Sequence, residues 1–387
     1  MNMMFRFEDY SITDVNTRKV LQCILEKGPI TKRRIQKNTG LSWGGVYNSI
    51  SKLLDKNVIL ETGQIRKDTP GRSPNLFDIN YKENLSVGLD VTLGKIIGVV
   101  SHLDGKCIYS KTLSMKSNLS QDVIEGLLNV LYEIYDFVKE ADYIKTIGLA
   151  LPGSTIKGWD KEGLEHPFHG IFPKNLKDLV EEKFGAITGI FTDPDCLLAS
   201  EINNLADKSN KDIIVVLRWS YGIGLSMLMD GKIYQGSNRM SGEIGHTVID
   251  PNGELCSCGK RGCLETYASL QSLIRKIGPV SNFKEILNLY NNHDPYARKI
   301  VDDAMDKMSI ILANTINIID PTILIIGGEF ASLPKEVFES FKAKIYQHIM
   351  IGSETQILQS NLDDKATALG AALLMRDKIY YEVFELK

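Results

Sequence analysis

From Gly242 to Ser269 the chain reads GEIGHTVIDPNGELCSCGKRGCLETYAS, and three of its six cysteines, Cys256, Cys258 and Cys263, fall within eight residues of one another. His246 stands nine intervening residues before the first of them. One imidazole and three thiolates form a natural tetrahedral set for Zn²⁺. A segment that must aim four donors at one point has few ways to fold, and Gly259 and Gly262 stand where its backbone has to turn tightly. Four protein ligands leave no open coordination position, so the spacing indicates a structural metal rather than a hydrolytic one. The alternative is a loop of unligated cysteines, against which the spacing and the interleaved glycines argue. Glu243 precedes His246 by three residues and Glu265 follows Cys263 by two, so a polar ligand is expected beside the metal.

The 387 residues are too many for one ordinary domain. A hydrophobic content of 43% and a charged content of 24% are those of a water-soluble globular protein. No apolar run approaches the roughly 18 residues that cross a bilayer. The start MNMMFRFEDY lacks the basic and apolar regions of a signal peptide, and Cys23, Cys107 and Cys196 are isolated, so a reducing, cytoplasmic setting without membrane contact is expected. The net charge of −3 hides an asymmetry: residues 1–80 hold 13 Lys and Arg against 8 Asp and Glu, and the remainder 32 against 40. A basic first fifth on an acidic body suggests a polyanion-binding module.

Residues 1–80 support that suggestion locally. Val20, Leu21, Ile24 and Leu25 recur at helical spacing and stop at Gly28-Pro29; Thr31 can cap a second helix ending at Gly40; Ser42 can cap a third, with Val46, Ile50, Leu53 and Leu54 as its apolar stripe. VILETGQIR and NLFDIN then read as the strands of a wing, with KDTPGRSP as its tip. Three short helices with this turn and wing are a winged helix-turn-helix. In such a domain the third helix enters the major groove of double-stranded DNA. Its outward positions are Gly44, Tyr47, Asn48, Ser51 and Lys52; Asn48 suits an adenine edge, while Lys32, Arg33, Arg34 and Arg72 would hold phosphate. The Gly44-Gly45 pair is costly in a helix and suggests close backbone approach to DNA. A winged helix used only for assembly is the alternative.

Residues 81–387 read as alternating strands and helices, an α/β layered domain. LSVGLDVTLGKIIGVV and IIVVLRWSYGIGLSMLMDGK are both strand–turn–strand units with glycine at the turn, as if two related halves faced one cleft.

The stretch EIGH–x₉–C-x-C-G-x-x-G-C-x-E, Pro152-Gly153, Asp193 after GIFT, YGIG at 221–224, Ile325-Ile326-Gly327-Gly328 and ALGAAL near the end together resemble the ROK family (repressors, open reading frames, kinases) in its transcriptional-repressor branch. The resemblance runs over nearly the whole chain. It implies a two-lobed actin-like or hexokinase-like, ribonuclease H-like ATPase fold behind the winged helix. One lobe would span about 81–195 plus a C-terminal helix at 367–387, the other about 196–366 with the zinc site. It further implies sugar held by Gly153, Asp193, Glu243, His246 and Glu265, and a homodimer or homotetramer. Carboxylates accept hydroxyl hydrogen bonds, and a metal-bound imidazole keeps its other nitrogen for a ligand. Thr192 and Asp195 depart from the asparagines of the family pattern. His166 and His169 read as surface or loop residues and Trp159 as a packing residue, the alternative being that their loop borders the sugar.

Kinases of the family cradle ATP with an Asp-x-Gly-Gly-Thr turn and a second glycine-rich turn. Here the first reads Asp90-Val91-Thr92-Leu93-Gly94, and the second keeps only Gly222 and Gly224, so side chains stand where backbone should approach phosphate. Asp193, the family's catalytic base, becomes a vestigial base or passive sugar ligand. The expectation is a sugar-responsive repressor of carbohydrate-utilisation genes, with a free or phosphorylated sugar as effector. The alternative is an active ATP-dependent sugar kinase carrying a winged helix.

Overall fold

The runs IVVLRW at 214–219 and ILIIG at 323–327 are too apolar for a half-exposed strand and suit sheets covered on both faces. The computed structural model describes residues 15–64, 74–92, 94–115, 120–140, 143–152, 172–173, 175–205 and 213–378.

The first module contains α1 (Val15–Lys27), β1 (Ile30–Thr31), α2 (Lys32–Thr39), α3 (Trp43–Asp55), β2 (Ile59–Gln64) and β3 (Asn75–Ile79). Thr31 accepts from the Arg34 N–H at the start of α2, and Gly40 ends that helix in the left-handed conformation. Ser42 accepts from the Gly45 N–H at the start of α3. The caps fall where the sequence placed them. Val46, Ile50 and Leu53 are fully buried with Val20 and Ile24, while Leu54 is only half-buried. β2 and β3 pair antiparallel as the wing. β1, which the helical spacing did not reveal, adds a short third strand on β3.

The second module follows with β4 (Leu85–Thr92), β5 (Lys95–His102), β6 (Cys107–Ser114), α4 (Ser120–Val138), β7 (Ile144–Leu151), α5 (Leu176–Phe184), β8 (Ile187–Thr192), α6 (Asp193–Asn204), β9 (Ile214–Trp219), β10 (Ile223–Met229) and β11 (Lys232–Ile233). After the cysteine stretch come α7 (Glu265–Ala268), α8 (Leu270–Ile277), α9 (Phe283–Asn291), α10 (Pro295–Ile319), β12 (Ile323–Gly327), α11 (Lys335–Tyr346), β13 (Gln356–Gln359) and α12 (Ala366–Lys378).

Among the described residues the strands of this module form two five-stranded sheets, ordered β6-β5-β4-β7-β8 and β11-β10-β9-β12-β13. Each begins as an antiparallel meander and continues with parallel strands. The same layout therefore occurs twice, which is the two-halved body that the paired hairpin segments suggested.

Apolar burial arranges the sheets into layers. One face of the first sheet packs on α4 and α5 through Leu127, Leu131, Ile134 and Val180. One face of the second packs on α8 to α11 through Leu273, Met308, Leu312 and Phe341. Between the sheets run α6 and α12, joined through Cys196, Leu198, Ala371 and Leu374. A Cβ on Gly370 of α12 would lie 1.6 Å from the Cys196 carbonyl oxygen, and one on Gly88 of β4 would lie 1.9 Å from that of Ala368. Backbone meets backbone at these crossings, so only glycine fits. α6 begins at Asp193, and Pro194, with its preset φ, suits the first helical turn. Among the described residues no helix is long and apolar enough to cross a membrane.

Candidate functional site

The parallel strands β4, β7 and β8 deliver Asp90, Leu151 and Thr192 to the same edge of their sheet, and β9 brings Arg218 to meet them. Crevices outside the carboxyl ends of parallel strands are where α/β proteins bind ligands. Asp193 opens α6 at this edge.

The cysteine stretch follows β11, in the half of the chain that forms the second sheet. Ile244–His246 forms one 3₁₀ turn, tied to β10 by the Leu225 N–H donating to the Gly242 carbonyl at 2.9 Å. The chain then folds into a knuckle, with the Cys256 N–H donating to Lys260 O at 2.7 Å and the Ile249 N–H to Gly262 O at 2.8 Å. Gly262 has φ +68°, and a Cβ there would lie 1.5 Å from Asp250 O, so no other residue fits this turn.

The knuckle gathers His246, Cys256, Cys258 and Cys263 so that one ligand atom from each lies within 4.8 Å of every other. His246 Nδ1 is 3.6 Å from Cys256 Sγ, and Cys258 Sγ is 3.5 Å from Cys263 Sγ. Those separations suit the edges of a tetrahedron around one Zn²⁺. The thiol chemistry agrees: burial first, then the neighbouring sulfurs, pushes the Cys263 thiol up to about 12. Sulfurs this close need a cation to ionise together, which Zn²⁺ would supply. The residues fit the metal. His246 Nε2 lies 3.8 Å from a Glu243 carboxylate oxygen. The imidazole thus turns one nitrogen to the sulfurs and the other to a carboxylate.

Glu265 opens α7 directly after the knuckle, and its Oε2 accepts the Ile223 N–H of β10 at 3.1 Å. Burial raises its pKa, His246 and the Ile223 bond oppose that, and Glu243 and Asp193 raise it further. Glu243, His246 and Asp193 therefore all act electrostatically on Glu265. Asp195 points its carboxylate at Ser226 Oγ (2.5 Å) and Gln235 Nε2 (3.1 Å). Gly153, Trp159, His166 and His169 lie outside the described residues.

The sequence did not single out Arg218. It is an isolated cation in an apolar strand, and its Nη1 lies 2.7 Å from Asp193 Oδ2 and its Nη2 3.5 Å from Asp90 Oδ2. Its neighbour Trp219 is fully buried, stacks on Phe330 at 3.9 Å and donates from Nε1 to Ala268 O at 2.7 Å.

On the first module, Arg33, Arg34, Gly44, Tyr47, Asn48 and Lys52 are exposed, and Ser51 is half-buried. Lys32 lies over the Tyr47 ring at 4.7 Å and the Phe77 ring at 5.2 Å, so aromatic faces hold its ammonium. Trp43, 53% exposed at the head of α3, is an additional aromatic on this surface. Arg72 and the wing tip lie outside the described residues.

Sequence comparison extends these observations. The model of the ROK family matches residues 86–378, and a winged helix-turn-helix DNA-binding model matches 13–59. The xylose repressor of Bacillus subtilis (strain 168) is 27% identical over 372 residues, covering 95% of this chain and 96% of its own. The glucokinase of Thermotoga maritima is 28% identical over 309 residues, covering 73% of this chain and 94% of its own. The crystal structure of a ROK family transcriptional regulator, described as a homologue of the Escherichia coli MLC protein, covers 96% of this chain and 98% of its own. Its TM-score is 0.75 at 22% identity, a likeness of fold. The family match spans the whole doubled-sheet module, knuckle included: the chain belongs to the ROK family and carries a winged helix-turn-helix ahead of its ROK domain.

Proposed function

We propose that the protein is a sugar-responsive DNA-binding transcriptional regulator, acting as a repressor of carbohydrate-utilisation genes. The observation that carries this reading is the joining of two surfaces in one chain. One is the exposed polar face of α3, and the other is a set of carboxylates converging on an imidazole at a Cys/His knuckle. The relatives named xylose repressor support the same output, and xylose is the first effector to test.

In this reading residues 1–80 bind double-stranded operator DNA. Asn48, Ser51 and Tyr47 face bases, and Arg33, Arg34, Lys52 and Arg72 hold phosphates. Lys32 works with Tyr47 as one cation–aromatic unit beside the groove. Residues 81–387 bind the sugar, with Asp193, Glu243 and Glu265 as hydroxyl acceptors, His246 as a further partner and Gly153 at the rim. His246, Cys256, Cys258 and Cys263 would hold a structural Zn²⁺, which fixes the imidazole with Nε2 facing Glu243. In a cytoplasmic homodimer or homotetramer, sugar binding that favours one arrangement of the two sheets alters the separation of paired winged helices. Half-sites are spaced by helical turns, so DNA affinity changes with it.

The test is fluorescence anisotropy of a promoter fragment with full-length protein. Xylose, other monosaccharides and their phosphates are added in turn. One of them should weaken DNA binding; if none does across the panel, the sensor reading fails. The similarity to a glucokinase favours a second reading, an active sugar kinase. Calorimetric titration with MgATP separates the two, because a kinase must bind ATP and this reading expects no heat above background.

A further inference from the structure

Arg218 is the fifth residue of the apolar strand β9, yet its side chain is only 7% exposed. A buried charge persists only where it is paired. The partners come from three different elements: β9 gives the guanidinium, β4 gives Asp90 and the head of α6 gives Asp193. Burial works against the charge of Arg218, but Asp193 and Asp90 more than restore it, so the group is held protonated. Asp90 Oδ1 and Arg218 Nε are buried and make no hydrogen bond among the described residues. Both residues line a cavity of ≈490 Å³ that also touches Gly328, Glu329, Ser360 and Thr367.

Two carboxylates within reach of one positive centre are also a hard oxygen donor set for Mg²⁺ or Mn²⁺. A metal ion can leave such a set. A guanidinium on the strand cannot leave, and it does not deprotonate.

We propose that Arg218 is an internal counter-ion standing where Asp90 and Asp193 would otherwise take a divalent cation. With this cation covalently installed, the cleft is closed to metal-assisted phosphoryl transfer and Asp193 is held as a fixed, ionised acceptor. The proposal rests on the ion triad and stands whether or not Asp193 touches sugar, so its test uses neither sugar nor DNA.

Zinc-loaded, full-length protein and its R218A variant are titrated with Mn²⁺ at neutral pH, free Mn²⁺ being read by electron paramagnetic resonance. R218A should take up one Mn²⁺ more per chain than the parent, on the order of tenfold tighter than any parent site. Adding D90N should abolish the gain. A folded R218A without extra Mn²⁺ overturns the proposal, and so does a parent protein that already binds Mn²⁺ in a D90N-sensitive way. If R218A does not fold, the parent protein answers through its guanidinium ¹⁵N spectrum. A clamped Arg218 shows separate Nη signals, whereas one averaged signal overturns the proposal.

Discussion

Asp90 shows how burial and pairing compete at a single carboxyl. Burial, only partly offset by Arg218, pushes its pKa up to about 6 from an ordinary 3.8. The folded protein therefore holds this proton more tightly than the unfolded chain does. The stability it contributes is complete below the ordinary value and is lost as pH rises through about 6. Urea midpoints measured across that window should fall with rising pH in the parent protein, and D90N should flatten this component. Arg218 is the complementary case. R218M keeps much of the volume but strands two carboxylates, and loss of one partner of a buried ion pair costs about 3–5 kcal/mol. A change within about 1 kcal/mol in urea unfolding would mean that the carboxylates find other relief. The Cys/His cluster was legible in the sequence because its chemistry is local: donors 2, 5 and 10 residues apart declare themselves by spacing. Arg218 was not, because its partner Asp90 lies 128 residues away and no local pattern links them.

At the level of elements, the knuckle and α3 each make a prediction. C256S removes one of four converging donors. Metal analysis of the variant should show zinc lost, and its sugar affinity should fall while DNA binding by the distant α3 persists. Normal sugar binding without zinc would make the metal incidental to the site. In α3, a Cβ on Gly44 would meet nothing within 4 Å, so packing does not explain the glycine. G44A should stabilise the helix by about 1 kcal/mol, yet weaken DNA binding if the bare backbone is there to approach the duplex. A variant both more stable and equally tight on DNA would remove that explanation. Caps at Thr31 and Ser42 were readable because each is a short-range hydrogen bond. The start of α6 is capped in the same way, by Thr192 accepting from the Asp195 N–H. The two-residue β1 carries no periodicity, and only its pairing with β3 defines it.

On the scale of the molecule, the repetition of one sheet order in both halves was visible only as two hairpins with glycine turns. The parallel strands that complete each sheet depend on crossovers far along the chain, which no spacing rule reaches. In the proposed reading the two ends of this architecture are separable. R33A combined with N48A should reduce DNA affinity and flatten its salt dependence, since phosphate contacts release counterions. Sugar affinity, measured calorimetrically, should be unchanged; a parallel loss would mean that the modules are not independent. The helix α12 bears on how such a protein comes into being. It lies against β4, β5, β7 and α6, elements made up to about 280 residues earlier, and Gly370 seats it where nothing larger fits. During synthesis, the first module can gather its core from neighbouring segments and fold as it emerges. The doubled sheets must wait for α12. In the proposed reading, a nascent chain would carry a finished winged helix before it had a finished sugar sensor, and a frameshift near Gly370 would cost both the sugar response and the pairing that sets half-site spacing.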